Sequence, residues 1–96
     1  MTEDRLPNIH PGEVLLEEFM RPLGLSQNRV ARDIGVPVHR VHQLVHRKRS
    51  FTANTALRLG KYLGTGPEFW LNLQATFDLE EARSTVSLDG IRQVAA

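Results

Sequence analysis

The sequence predicts an all-α domain of five helices, and three observations predict it. Apolar residues recur at helical spacing in one segment after another. Glycine, proline and capping residues punctuate those segments at short intervals. No strong strand pattern occurs before residue 84. Residues 1–9 are predicted to be an N-terminal arm, 10–83 the folded domain and 84–96 a tail whose weak signals fit a frayed helix end, a short strand or disorder alike.

The first helix is predicted to begin at His10-Pro11-Gly12-Glu13. Pro11 suits a first-turn position, and Glu13 complements the positive end of the helix dipole. Leu15 and Phe19 lie one turn apart on its apolar side, and Pro22 with Gly24 is expected to end it. Ser26 is a good N-cap for the second helix, where Val30, Ala31 and Ile34 share a face, and Gly35 follows in the place where a helix stops with positive φ. Val36-Pro37 leads into a third helix of about ten residues. Thr52 is expected to cap a fourth, carrying Ala56, Leu59 and Leu63. Thr65-Gly66-Pro67-Glu68 has the spacing of a capping box ahead of a fifth, which carries Phe69, Leu73 and Phe77 at i, i+4 and i+8 beside Trp70. Those aromatics read as core or as a seam with a second copy.

The chain has 96 residues, 41% hydrophobic and 24% charged, which suits one small globular domain and is too apolar for disorder. With no cysteine, disulfides, thiolate metal sites and cysteine nucleophiles are excluded. No segment approaches the roughly 20 apolar residues of a membrane span, so no membrane association and a cytoplasmic location are expected. The formal net charge of +1 conceals a division along the chain. Between Ser26 and Tyr62 stand Arg29, Arg32, Arg40, Arg47, Lys48, Arg49, Arg58 and Lys61 against the single acid Asp33, whereas each flank carries more acids than bases. A basic middle between acidic flanks suits the binding of a polyanion.

The segment from Gln27 to Leu44 meets the steric rules of a helix-turn-helix. Ala31 is small where two helices would cross, Gly35 permits the sharp turn four residues later, and Val30, Ile34, Val36, Val41 and Leu44 stand where the wedge between the helices needs filling. On the third helix, Val38, Val41, Leu44 and Val45 fall on one side. His39, Gln43 and His46, flanked by Arg40, His42 and Arg47, fall on the other, with donors and acceptors suited to base edges in the major groove of double-stranded DNA. The N-terminal end of such a helix points at the bases, which makes Val38, His39, Arg40, His42 and Gln43 the candidate readers, Val38 toward a thymine methyl if it is not taken up in packing. Arg47, Lys48 and Arg49 are expected over the sugar-phosphate backbone, and Gln27 and Asn28 are candidate phosphate anchors at the start of the second helix.

His39, His42 and His46 share a face at spacings within reach of a metal ion. However, no carboxylate lies among them, and Arg40 and Arg47 would repel a divalent cation, so no metal is expected. No phosphate loop and no nucleophile–base grouping can be assembled either. The expectation is a non-enzyme with no cofactor and no small-molecule substrate.

His10-Pro11-Gly12-Glu13-Val14-Leu15-Leu16-Glu17-Glu18-Phe19, Leu23-Gly24-Leu25-Ser26-Gln27, Thr52-Ala53-Asn54-Thr55-Ala56-Leu57-Arg58-Leu59 and above all Gly64-Thr65-Gly66-Pro67-Glu68-Phe69-Trp70-Leu71-Asn72-Leu73-Gln74 resemble the HigA antitoxins. These belong to the XRE, or Cro/repressor-like, helix-turn-helix group. The resemblance spans roughly residues 9–80. It implies a type II toxin–antitoxin component that neutralises a HigB-like mRNA endonuclease toxin by direct contact and represses its own operon by binding operator DNA as a homodimer. A stand-alone regulator without a toxin is the alternative. One departure stands out. The family usually ends the recognition helix with Asn-Gly, where this chain has His46-Arg47. Arg47 is expected to resist the left-handed conformation that glycine allows, so that the helix runs further or ends differently.

Overall fold

Five helices, with no strand among the described residues, make up the computed structural model, which describes residues 8–95. Most of the predicted arm, residues 1–7, lies outside the described residues, as does Ala96. Helix α1 spans residues 11–23. His10 caps it, its Nδ1 accepting the Gly12 N–H at 2.9 Å, and Pro11 opens the first turn. The stretch Leu15–Met20 is wound as a π-helix, with the Arg21 N–H reaching back to the Leu16 carbonyl. That bond falls one residue before Pro22, which has no N–H to give, and the helix runs one residue past the proline. Termination falls to Gly24 at φ 65°.

Helix α2 is Gln27–Ile34, started by Ser26, whose Oγ accepts the Arg29 N–H at 3.0 Å. It stops at Gly35, φ 75°, where the Val36 N–H bonds to the Ala31 carbonyl at 3.0 Å and the Gly35 N–H to the Arg32 carbonyl at 3.3 Å. Those two bonds define a Schellman end. Helix α3 is Val38–Val45, two residues shorter than expected. Helix α4, Ala53–Leu63, begins at Thr52, whose Oγ1 accepts the Thr55 N–H, and ends at Gly64. Helix α5, Pro67–Thr85, is the longest.

The capping box expected at Thr65 does not form. Helix α5 starts one residue later, at Gly66 with φ 82° and no side-chain cap, while the Thr65 hydroxyl donates to the Gly66 carbonyl at 2.9 Å. The cause is packing: Gly60 of α4 lies directly on the Gly66-Pro67 backbone, with no space for a Cβ. The turn is thus set by a close approach of two main chains rather than by a side-chain cap.

One apolar core joins all five helices. Leu15 and Met20 of α1, Val30, Ala31 and Ile34 of α2, and Val41, Leu44 and Val45 of α3 meet Ala56 and Leu59 of α4 and Trp70 of α5. Trp70 is wholly buried. It stacks on Phe51 at 5.3 Å between ring centres and tilts against Phe19 at 5.5 Å, the aromatic geometry that adds attraction beyond area burial. The loop before α4 is pinned to α5 by the Phe51 N–H, which donates to Gln74 Oε1 at 2.8 Å in the buried interior. Residues 86–95 form neither helix nor strand and turn at Asp89-Gly90.

Candidate nucleic-acid interface

Helices α2 and α3 with the Gly35 turn form the helix-turn-helix, because the residues required to be small or apolar are the ones buried. Ala31 and Val30 are almost inaccessible, and Val41 and Leu44 are sealed against them. The consequence is a rigid α3 with one face free. His39, His42 and His46 are exposed, Arg40 and Gln43 half-buried, and Val38, at 44% exposure, stands clear enough of the core to offer its methyls outward. Asn28 is exposed at the start of α2, with Gln27 half-buried beside it.

Several of these side chains are held rather than loose. The Gln27 Oε1 lies 3.2 Å from His42 Nδ1, linking the start of α2 to the middle of α3. The His42 and His46 rings meet edge to face at 4.0 Å. Arg49 Nε donates to Gln43 Oε1 at 2.9 Å. Arg40 reaches Asn54 Oδ1 of α4 at 3.5 Å, and the same oxygen accepts from Arg58 Nε at 2.9 Å.

Asn54 and Arg58 are the residues that reading the sequence for DNA contacts passed over. Arg58 also donates to the Ile34 carbonyl at 2.7 Å, closing the C-terminal end of α2. It therefore ties α4 to the helix-turn-helix corner, a favourable place for a cation at the negative end of a helix dipole. The i, i+4 spacing of Asn54 and Arg58 was the available signal.

Helix α3 ends at His46, and Arg47 takes φ 61°, which corrects the expectation that it would refuse this conformation. The Lys48 N–H bonds to the Gln43 carbonyl at 2.8 Å and the Arg47 N–H to the Leu44 carbonyl at 3.1 Å. The same Schellman end closes α2 around Gly35, so the hydrogen-bond pattern outweighs the cost of placing a side chain there, about 1–3 kcal/mol. Arg47 also pairs with Glu13 of α1 at 3.5 Å. Lys48 is exposed and makes no ion pair among the described residues.

On the far side of α2, Tyr62 donates its hydroxyl to Asp33 Oδ2 at 2.6 Å. That hydrogen bond, together with one from Arg29 and the charges of Arg29 and Arg32, holds the Asp33 carboxyl below its ordinary pKa against a smaller opposing effect of burial. Asp33, the one acid of the basic middle, thus stays ionised and offsets Arg29 and Arg32. Among the described residues Arg40, Lys48, Arg49, Arg58 and Lys61 make no ion pair, and two of these, Lys48 and Arg49, follow the end of α3.

No protein-family model matches the chain. Among known proteins it is 42% identical over 80 residues to virulence-associated protein I of Dichelobacter nodosus, covering 83% of this chain and 74% of that one. It is 38% identical over 73 residues to antitoxin HigA-1 of Vibrio cholerae, covering 76% and 69% respectively. Among solved structures it is similar to antitoxin GraA in complex with its operator, at a TM-score of 0.88 and 36% identity over the whole of both chains.

Proposed function

Because the chain belongs to the HigA family of helix-turn-helix antitoxins, we propose that it is the antitoxin of a type II pair, binding operator DNA as a homodimer to repress its own operon and neutralising a HigB-like mRNA endonuclease toxin by direct contact. The observation that carries the DNA half is the free His39-Arg40-His42-Gln43 face of α3, braced by α2 and followed at once by Arg47-Lys48-Arg49. A helix so presented fits the major groove, and cations at its end meet phosphates. Two-fold symmetry places two such helices in successive grooves, roughly 34 Å apart. Val38, His39, Arg40, His42 and Gln43 are assigned to the bases, and Gln27, Asn28, Arg47 and Lys48 to the backbone, where Arg49 is also expected from the sequence although its Nε bonds to Gln43 in the free chain. Among the described residues no helix is long and apolar enough to cross a membrane, and the cytoplasm is the compartment proposed.

Binding, not catalysis, is the activity of this family, and the chain is not an enzyme. Titrating duplex from the chain's own promoter near physiological salt, with a scrambled duplex as control, tests the DNA half; equal affinity for both would refute operator binding. Co-expression with the product of the adjacent gene, followed by affinity purification, tests the other half. Failure of that product to co-purify, with operator binding intact, would leave a stand-alone regulator.

A further inference from the structure

Gln43 is gripped twice by the loop that follows its own helix. Its carbonyl accepts the Lys48 N–H at 2.8 Å, and its side-chain Oε1 accepts Arg49 Nε at 2.9 Å. A continued α-helix would carry Arg49 about 240° around the axis from Gln43 and about 9 Å beyond it. Only the left-handed step at Arg47 turns the chain back so that Arg49 arrives over Gln43. Arg49 is half-buried there, unlike its exposed neighbours Arg47 and Lys48.

The chemistry of the pair decides which end of the amide faces which way. A guanidinium has donors and no acceptor, so the atom it meets must be the oxygen, and the NH2 group is the end left for a ligand. An amide that reads adenine uses both ends, the oxygen accepting from N6 and the nitrogen donating to N7. With its oxygen drawn toward the loop and one of its two lone pairs taken by Arg49, Gln43 offers a ligand chiefly the two hydrogens of its NH2 group, which match an edge made only of acceptors. In the major groove that edge is the O6 and N7 of guanine.

Resting on the operator-binding reading above, we propose that Arg49 is a positioning residue rather than a phosphate contact, and that by holding the Gln43 amide it directs this glutamine to guanine instead of adenine. Arg47 belongs to the same device, since its backbone conformation brings Arg49 into place.

The test is selection of duplexes from a randomised library with constant flanks, using the wild-type chain and the Arg49→Ala, Arg49→Lys, Gln43→Ala and double Arg49→Ala/Gln43→Ala variants. Wild type is expected to enrich guanine at the position that Gln43→Ala relaxes. Arg49→Ala is expected to lose that preference by about fivefold or more, or to shift it to adenine. Arg49→Lys, still a donor, should retain part of it, and the double variant should add nothing to Gln43→Ala. In the free protein, the side-chain NH2 resonances of Gln43 should be ordered in wild type and averaged in Arg49→Ala. An unchanged motif in Arg49→Ala, with all duplexes weakened alike and the salt slope lowered by about one, would make Arg49 a phosphate contact and overturn the proposal. A wild-type library that enriches no motif would instead overturn operator reading itself.

Discussion

Gly12 of α1 rests on the main chain of Leu44 in α3, so closely that a Cβ at position 12 would fall inside the Leu44 carbonyl oxygen. That carbonyl is also the acceptor of the Arg47 N–H in the turn that ends α3. The contact therefore fixes both the depth of α3 in the fold and the turn that carries the cations. Gly12→Ala cannot be absorbed by a flexible side chain, because the obstacle is backbone. It is expected to cost about 3 kcal/mol or more, at the upper end of overpacking effects, read as a lower denaturant midpoint at unchanged slope. A midpoint within error of wild type would show that the two helices are free to separate.

Arg47 offers a substitution in which stability and binding part company. Its φ of 61° is strained for any side chain but not for glycine. Arg47→Gly is expected to raise stability by about 1 kcal/mol, since its ion pair with Glu13 is exposed and contributes little. The same change deletes a charge that the proposed function assigns to the DNA backbone, and on that reading the slope of log affinity against log salt should fall by about one. Equilibrium unfolding and salt-dependent DNA titration of one protein read both. A loss of stability would mean that Arg47 is not the strained end of α3.

The contrast between Gly35 and Arg47 shows what the sequence makes legible. Val30, Ala31, Ile34 and Val41 announce the helix-turn-helix because close packing leaves few alternatives at those positions, and Gly35 does so because its φ of 75° suits glycine. At Arg47 the residue type argued against the turn that forms, since side-chain preference is local whereas the deciding hydrogen bonds depend on how the loop packs. Thr65 misled for the same reason. The approach of Gly60 to Gly66 is a contact between elements, which local signals do not encode. Within the candidate interface, composition and periodicity picked out the face of α3 but not its supports. The bonds from Gln27 to His42, from Arg49 to Gln43 and from Asn54 to Arg40 join residues whose proximity only the folded chain creates.

His10 makes the fold sensitive to acid. It is buried at 5% exposure, caps α1 through Nδ1, and packs edge-on to Phe77 at 4.8 Å. Burial, and secondarily the charge of Arg47, hold its pKa below the ordinary histidine value, with Asp78 acting in the opposite direction. Well above pH 6.5, the unfolded value, the residue is neutral in both folded and unfolded chains and contributes no pH dependence. As pH falls below that, the unfolded chain takes up a proton that the folded one refuses, so stability declines until the lower folded pKa is reached. Melting temperature is expected to drop between pH 7 and pH 5 in wild type. His10→Asn, which keeps a capping oxygen and does not titrate, should flatten the curve. An undiminished acid slope in His10→Asn would place the sensitivity elsewhere.

The proposed function gives Arg40 to base reading and Lys48 to anchoring. Arg40, half-buried and bonded to Asn54, lies near the start of α3, whereas exposed Lys48 lies beyond its end. Arg40→Ala is expected to cost about 1–3 kcal/mol on the preferred duplex and to relax preference at one base pair. Lys48→Ala should weaken every duplex alike and lower the salt slope by about one. A change of base preference in Lys48→Ala at constant salt slope would reverse these roles.

The exposed tail supplies the last prediction. Val86, Leu88, Ile91 and Val94 are between 55% and 84% exposed, and Leu79 on α5 is 52% exposed. The radius of gyration, 16.5 Å, exceeds the roughly 12–13 Å of a compact fold of this length. Apolar side chains spaced along an exposed segment gain by being covered, and the proposed binding of operator DNA as a homodimer would bring a second copy to cover them. The expectation is that Leu88→Ser combined with Ile91→Ser shifts the chain from dimer to monomer in sedimentation experiments and lowers operator affinity, while helicity stays unchanged because neither residue belongs to the core of residues 10–85. A double variant that sediments as a dimer would move the seam to a different surface, the exposed Leu57 of α4 being the next to test.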